Sequence, residues 1–202
     1  MLSLNSLRAF HEDPQTIIID RHNFLEELFT DMRRPIILLA LTLILALASL
    51  AAAQTQTYTN SSVDYTLELP SATWRVVSEP DSLHQHAEFI YGDRNDGYLQ
   101  IRKEVVDAGT SAAELARRDQ DQKLRFMPGY VDGPKPEPFA GHLNGVTYSY
   151  EFTSGGKPMA GRIYYLQADN RTIYVLRFTG LRDKLSRIRN QTDLMARTFH
   201  LK

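Results

Sequence analysis

Apolar and polar residues alternate over several short runs of the chain, and each alternation predicts a half-buried strand. Tyr65, Leu67 and Leu69 alternate with Thr66 and Glu68, and Pro70 closes the run. "TWRVV" predicts a second short extended piece with Trp74 in the core. Residues 89–91 and 99–106 flank "GDRNDG", a polar stretch ending in glycine that reads as a hairpin loop. The clearest alternation sets Val146, Tyr148, Tyr150 and Phe152 against Thr147, Ser149 and Glu151. "SGG" then turns the chain into "GRIYYLQ", and "ADNR" turns it into "TIYVLRFTG", where Tyr174, Leu176 and Phe178 share a face. Three strands joined by tight turns predict an antiparallel meander.

Two segments change to helical spacing. Ser111 followed by Glu114 predicts a capping box, in which each side chain accepts from a backbone N–H that the helix start leaves unpaired. Leu115, Leu124 and Phe126 give that helix its apolar face, and Pro128-Gly129 is expected to end it. "GPKPEPFAG" carries three prolines, each lacking a ladder donor, so it is a loop or a sheet edge. Near the end, Leu181, Leu185, Ile188, Thr192, Met195 and Phe199 recur at steps of four and three, which predicts one stripe on a single helix. That stripe and an aromatic sheet face argue for helix on sheet.

Upstream of this pattern the alternation vanishes. "MRRPIILLALTLILALASLAAAQ", residues 32–54, joins two arginines, an apolar middle and a small-residue exit, the three parts of a secretory signal peptide. Cleavage after Ala53 is the expected outcome. The alternative is a signal anchor over residues 36–53, which reaches the lower edge of the ~17–25 apolar residues a span needs. Residues 1–31 hold six acids and two arginines, the reverse of an organelle transit peptide, and are read as a mis-called start or an upstream extension. Residues 54–62, "QTQTYTNSS", read as a flexible lead-in, and 63–202 as one domain.

Composition narrows the function classes. Of 23 basic and 24 acidic residues, four arginines and six acids precede Gln54, leaving 19 and 18 in the exported part. A surface so balanced lacks the positive field that nucleic-acid binding relies on. The chain has no cysteine, so disulfides, thiolate metal sites, cysteine nucleophiles and a lipid-modified N-terminal cysteine are excluded.

Candidate chemistry is sparse. On a strand, His84, His86 and Glu88 would point the same way and approach one divalent ion, although a polar strand edge is the commoner meaning of such a run. "DRNDG" lacks the spacing and distal glutamate of a calcium loop and reads as a turn. "SGGKP" lacks the Gly-Lys-Ser/Thr ending of a phosphate loop and reads as a hairpin turn. No G-x-S-x-G elbow occurs. Arg182, Lys184, Arg187, Arg189 and Arg197 give the last helix a basic bias, whose ordinary meaning is solvated charge and whose sharper one is an acidic partner or lipid. Most of the abundant tyrosines read as core or cross-strand pairs, and any on an outer face would line a groove.

The strand "YTLELP" with a lone tryptophan after it, the helix opening "TSAAELARR", the meander "GVTYSYEF…GRIYYLQ…TIYVLRFTG" and the ending "RTFHL" together resemble the PsbP-like superfamily. That superfamily includes the PsbP extrinsic subunit of photosystem II, Ran-binding Mog-type proteins and many small exported bacterial proteins. The resemblance implies an α+β fold, an antiparallel sheet flanked by helices as an α/β/α sandwich, serving as a binding or assembly module without catalysis. Photosynthetic and Ran-related roles are not carried over, because no residue here matches a functional motif of those proteins.

The expectation is therefore an exported, non-catalytic binding or accessory protein of the bacterial envelope, periplasmic or secreted. Its partner would be another envelope protein or a small ligand, with membrane contact only if the leader helix is retained. A small-ligand or metal carrier using a pocket between sheet and helix is the alternative. No catalytic, cofactor-binding or metal residue is assigned, and no cofactor is expected.

Overall fold

The computed structural model describes residues 55–81 and 86–202. The leader at 32–53, the upstream stretch 1–31 and His84 lie outside the described residues. Those described belong to one compact unit.

Three strands, β1 (Gln56–Thr59), β2 (Tyr65–Leu69) and β10 (His200–Leu201), form a small antiparallel sheet in the order β1-β2-β10. A larger antiparallel sheet contains β3 (Trp74–Ser78), β4 (Ala87–Tyr91), β5 (Asp93–Val105), β6 (Glu137–Phe139), β7 (Gly145–Ser154), β8 (Lys157–Gln167) and β9 (Thr172–Leu181). Its order is β3-β4-β5-β9-β8-β7-β6, so the meander β7-β8-β9 docks against the long hairpin strand β5. The helices are α1 (Ala112–Gln122), α2 (Arg182–Arg187) and α3 (Arg189–Thr198).

Side-chain alternation divides the core into two layers, one on each face of the large sheet. Along β8, Tyr164 and Leu166 face one layer while Ile163 and Tyr165 face the other; β9 divides Tyr174, Leu176 and Phe178 from Ile173 and Val175 in the same way. The first layer takes Leu185, Ile188, Met195, Ala196 and Phe199 from the C-terminal segment and Tyr58, Tyr65, Leu67 and Leu69 from the small sheet. The second takes Ala112, Leu115 and Ala116 of α1 against Tyr148, Tyr150 and Phe152 of β7. The helix-on-sheet expectation thus holds on both faces, with the small sheet sharing one of them. Each large side chain so buried contributes roughly 1.5–3 kcal/mol.

Four expectations are corrected. The lead-in "QTQTYTNSS" contributes strand β1, which pairs with β2 from Gln56↔Leu69 to Thr59↔Thr66; only Tyr58 is buried, so no alternation marked it. The capping box at Ser111 and Glu114 forms, with Ser111 Oγ accepting from the Glu114 N–H at 3.2 Å and Glu114 Oε2 from the Ser111 N–H at 2.7 Å. Yet α1 stops at Gln122, and a 3-10 turn, Leu124–Phe126, follows. With three residues per turn, Leu124 and Phe126 sit about 120° apart around the axis and face different ways. Leu124 is buried and Phe126 is 79% exposed.

The last correction concerns the C-terminal stripe. It is buried from Leu185 to Phe199, but on two helices meeting at Ile188, whose φ of −100° and ψ of 13° break the α geometry. The Ile188 side chain inserts over β5 at Gly97, where a Cβ would stand 2.8 Å from Ile188 Cδ1. Trp74 Nε1 donates to Gln191 Oε1 at 2.9 Å and fixes the start of α3.

Candidate functional site

The tyrosines of the meander are core residues: Tyr148, Tyr150, Tyr164, Tyr165 and Tyr174 are all buried. Most of their hydroxyls emerge at the rim of the core and donate to aspartates. Tyr148 donates to Asp132, Tyr164 to Asp193, Tyr174 to Asp64 at 2.6 Å and Tyr165 to Asp119 at 3.3 Å. Burial, followed by the neighbouring carboxylate, pushes the phenols of Tyr148, Tyr165 and Tyr174 well above their ordinary value. These are ties between sheet and periphery. Partial burial raises the Asp64 carboxyl, but hydrogen bonds from Lys103 and Tyr174 outweigh it and the net shift is downward.

The candidate metal residues are only partly described. His86 Nε2 lies 3.2 Å from Glu88 Oε1, and Arg94 approaches Glu88 from the other side at 3.8 Å. Among the described residues no group of three or more histidines or carboxylates is placed to hold a metal ion. The hairpin loop expected over "GDRNDG" is shorter than that: only Gly92, at φ +62°, lies between β4 and β5, while residues 93–97 belong to β5 at a register shift opposite Ile90 and Tyr91, with Asp96 3.5 Å from Lys184. "SGG" is the β7–β8 turn, both glycines being at positive φ.

The basic residues after β9 separate into different roles. Arg182 pairs with Glu151 at 3.2 Å, Lys184 with Asp96, and Arg187 with Asp183 at 3.9 Å. Arg197 lies 5.3 Å over the Phe139 ring and donates to the Ala140 carbonyl at 3.0 Å. Arg189 has no carboxylate partner among the described residues.

Arg182 and Arg189 stand at one wall of a groove of about 370 Å³ between the sheet and α2. Its floor is β7 and β8 through Ser149, Ala160, Gly161 and Arg162; Leu185 and Ser186 of α2 complete the helical wall. The opposite rim is the segment 131–134, which runs beside β7 through mutual N–H to carbonyl bonds between Val131 and Glu151. Two glycines permit close approaches here. At Gly133 a Cβ would stand 1.7 Å from the Ser149 carbonyl oxygen, so only glycine brings the rim this close to β7. At Gly161 a Cβ would meet the Tyr150 ring at 2.1 Å, so the ring lies across its cross-strand partner.

Both sides of the groove are held firmly. Asp132 Oδ1 accepts from Gln120 at 2.7 Å, from Tyr130 at 3.1 Å and from Tyr148, which fastens the rim to α1 and β7. The Tyr148 hydroxyl, the strongest of those influences, holds the Asp132 carboxyl below the usual range. In the floor, Arg162 donates to Asp193 at 2.9 Å, to Ser149 at 3.0 Å and to the Tyr164 hydroxyl at 2.6 Å. Its side chain is only 12% exposed. Fixed this way, the guanidinium needs no further ordering when a ligand meets its free N–H groups.

The sequence indicated a pocket between sheet and helix and a basic bias on the last helix, but not their meeting. Arg162 and the rim at 131–134 were missed. An arginine amid the alternating apolar residues of "GRIYYLQ" was the available signal, since a cation on a core-facing position must be held by partners.

No family model and no curated protein matches the sequence. Solved structures do resemble it. The Ran-binding protein Mog1p of Saccharomyces cerevisiae superposes with a TM-score of 0.51 at 10% identity, over 74% of this chain and 96% of Mog1p. A Bacteroides thetaiotaomicron protein gives 0.52 at 10% identity over 74% of this chain, which spans about half, 49%, of that protein's length. Cyanobacterial PsbP (CyanoP) of Synechocystis gives 0.48 at 13% identity, over 74% of this chain and 94% of that one. At such identities the likeness is one of fold alone. Among the described residues no helix is long and apolar enough to cross a membrane.

Proposed function

We propose that this chain, which has the PsbP/Mog-like fold, is an exported, non-catalytic binding protein of the bacterial envelope that holds a partner protein in the groove between its sheet and α2. The observation that carries this reading is the construction of the groove. Its rim, floor and helical wall come from four separate parts of the chain, and hydrogen bonds fix the rim and floor to the core. The carboxylates there, and the arginine of the floor, are committed to structure: Asp132 to two tyrosines and a glutamine, Glu151 to Arg182, Arg162 to Asp193. Such groups hold a surface in shape and are poorly placed to exchange protons with a substrate.

Further support comes from two sides. The leader at 32–53 directs the domain out of the cytosol, with retention as an inner-membrane anchor the alternative. Mog1p, built on the same fold, is described as binding the protein Ran; fold-level analogy of this kind is an association and names no partner here. A groove of about 370 Å³ also falls within the ~300–1,000 Å³ typical of small-molecule sites, which supports a small-ligand carrier as the second reading.

The test is a groove-filling substitution. Ser186 is exposed on α2, so S186W places an indole over the groove without touching the core. The full chain carrying S186W should keep the wild-type thermal midpoint and lose the envelope protein that co-purifies with wild type from its native host. Retention of that protein by S186W refutes the reading.

A further inference from the structure

Resting on the groove reading, we propose that its occupant is an acidic peptide segment of the partner, with a carboxylate side chain received between Arg162, Arg182 and Arg189 and a neighbouring aliphatic side chain lying against Leu185 and Val131. Charge carries the choice of occupant. Three guanidiniums line the space against two carboxylates, Asp132 and Glu151, which leaves one positive charge in excess, and the three are not equivalent. Arg162 is held by Asp193, Ser149 and Tyr164, and those bonds leave part of its fork of five N–H donors unused. Arg182 already shares Glu151 across the groove at 3.2 Å. Arg189, exposed at the first position of α3, has no carboxylate among the described residues.

A carboxylate entering here meets one ordered guanidinium from the floor and one uncommitted guanidinium from the wall. Arginine suits that role because its planar fork matches a carboxylate in two parallel bonds. The same opening exposes apolar surface. Val131 on the rim is 56% exposed and supplies most of it, while Leu185, a core residue only 5% exposed, shows an edge at the bottom of the helical wall. A second exposed hydrophobic residue, Phe126, precedes the rim in the chain at 79% exposure. The recognised sequence is therefore acidic with an aliphatic residue beside the acid. A purely anionic ligand such as free glutamate satisfies only the arginines.

Panning a random octapeptide display library on the full chain in mild detergent, at low salt, tests this against two variants, R189E and S186W. Selected peptides should carry Asp or Glu next to Leu, Ile or Val at more than twice the input frequency. A synthetic peptide of the leading sequence should bind wild type, bind R189E at least tenfold more weakly, and weaken with added salt as screened ion pairs do. Its Asp→Asn and Glu→Gln counterpart should bind no better than R189E binds the parent, and millimolar free glutamate should not displace the parent. Peptides selected without acidic enrichment, yet blocked by S186W, overturn the acidic class and leave the groove as a protein-binding site. No selection by wild type, or selection indifferent to S186W, overturns the groove reading as well. Displacement by free glutamate overturns the peptide in favour of a small anion. Arg189 is exposed, so a fall in the thermal midpoint of R189E is not expected, and unfolding data on the same samples confirm that loss of binding is not loss of fold.

Discussion

Asp132→Asn isolates one charge while keeping the shape of the groove rim. Three donors, from Gln120, Tyr130 and Tyr148, converge on the single oxygen Oδ1. A neutral amide oxygen accepts fewer and weaker bonds than a carboxylate oxygen. Hydrogen bonds to a charged group contribute roughly 1.5–3 kcal/mol when sheltered, but Asp132 is exposed, and water screens most of that. The discounted expectation is a loss of about 1 kcal/mol at pH 7, or roughly 2–4 °C in thermal midpoint for a domain of this size. The sign of the pH dependence follows from the depressed carboxyl. A folded-state value below the unfolded value near ~3.9 means that the stabilisation is complete above about pH 5 and fades as pH falls through the folded value. Urea unfolding of wild type and D132N at pH 7, 4 and 2.5 should therefore show a gap that is full at pH 7 and narrows towards the acid end. Amide exchange in residues 130–133 should quicken in D132N at pH 7. An equal gap at every pH, or none at pH 7, refutes the role of the Asp132 charge.

Two further predictions concern the framework. Met195 has no exposure and sits in the first core layer, so M195A should cost roughly 2–5 kcal/mol in urea unfolding, whereas L194A at a 39% exposed position should cost far less; equal losses would place the stripe wrongly. S111A removes the Oγ that caps α1 and should cost about 1 kcal/mol, with the loss shown by faster amide exchange in the first turn of α1.

The parts of this fold that were legible in the sequence are those in which a single periodicity sufficed. β7, β8 and β9 are long, alternate cleanly and are joined by turns whose residues announce themselves, such as Gly155 and Gly156. The capping box was equally local. Features decided by distant residues were not legible. The break at Ile188 carries no proline or glycine; it comes from seating that side chain over Gly97, 91 positions earlier in the chain. β1 shows one buried residue, and β10 pairs with β2 across the whole length of the domain. The groove belongs to the same class. Its arginines come from β8, α2 and α3, and its width is set by Gly133 against a carbonyl of β7. Each residue has an ordinary local reading, and only their convergence suggests recognition. The sequence did indicate a sheet–helix pocket and basic residues, because those follow from amphipathic patterning and local charge.

The most direct test of the account is a photo-crosslinking map in living cells of the native host. A photoreactive amino acid is placed at Ser186 in the groove and, separately, at Arg117 on the exposed side of α1. The account predicts a discrete adduct with an envelope protein from position 186 that R189E diminishes, and none from position 117. Adducts of equal strength from both positions, or none from 186 while the chain is exported and folded, would contradict it.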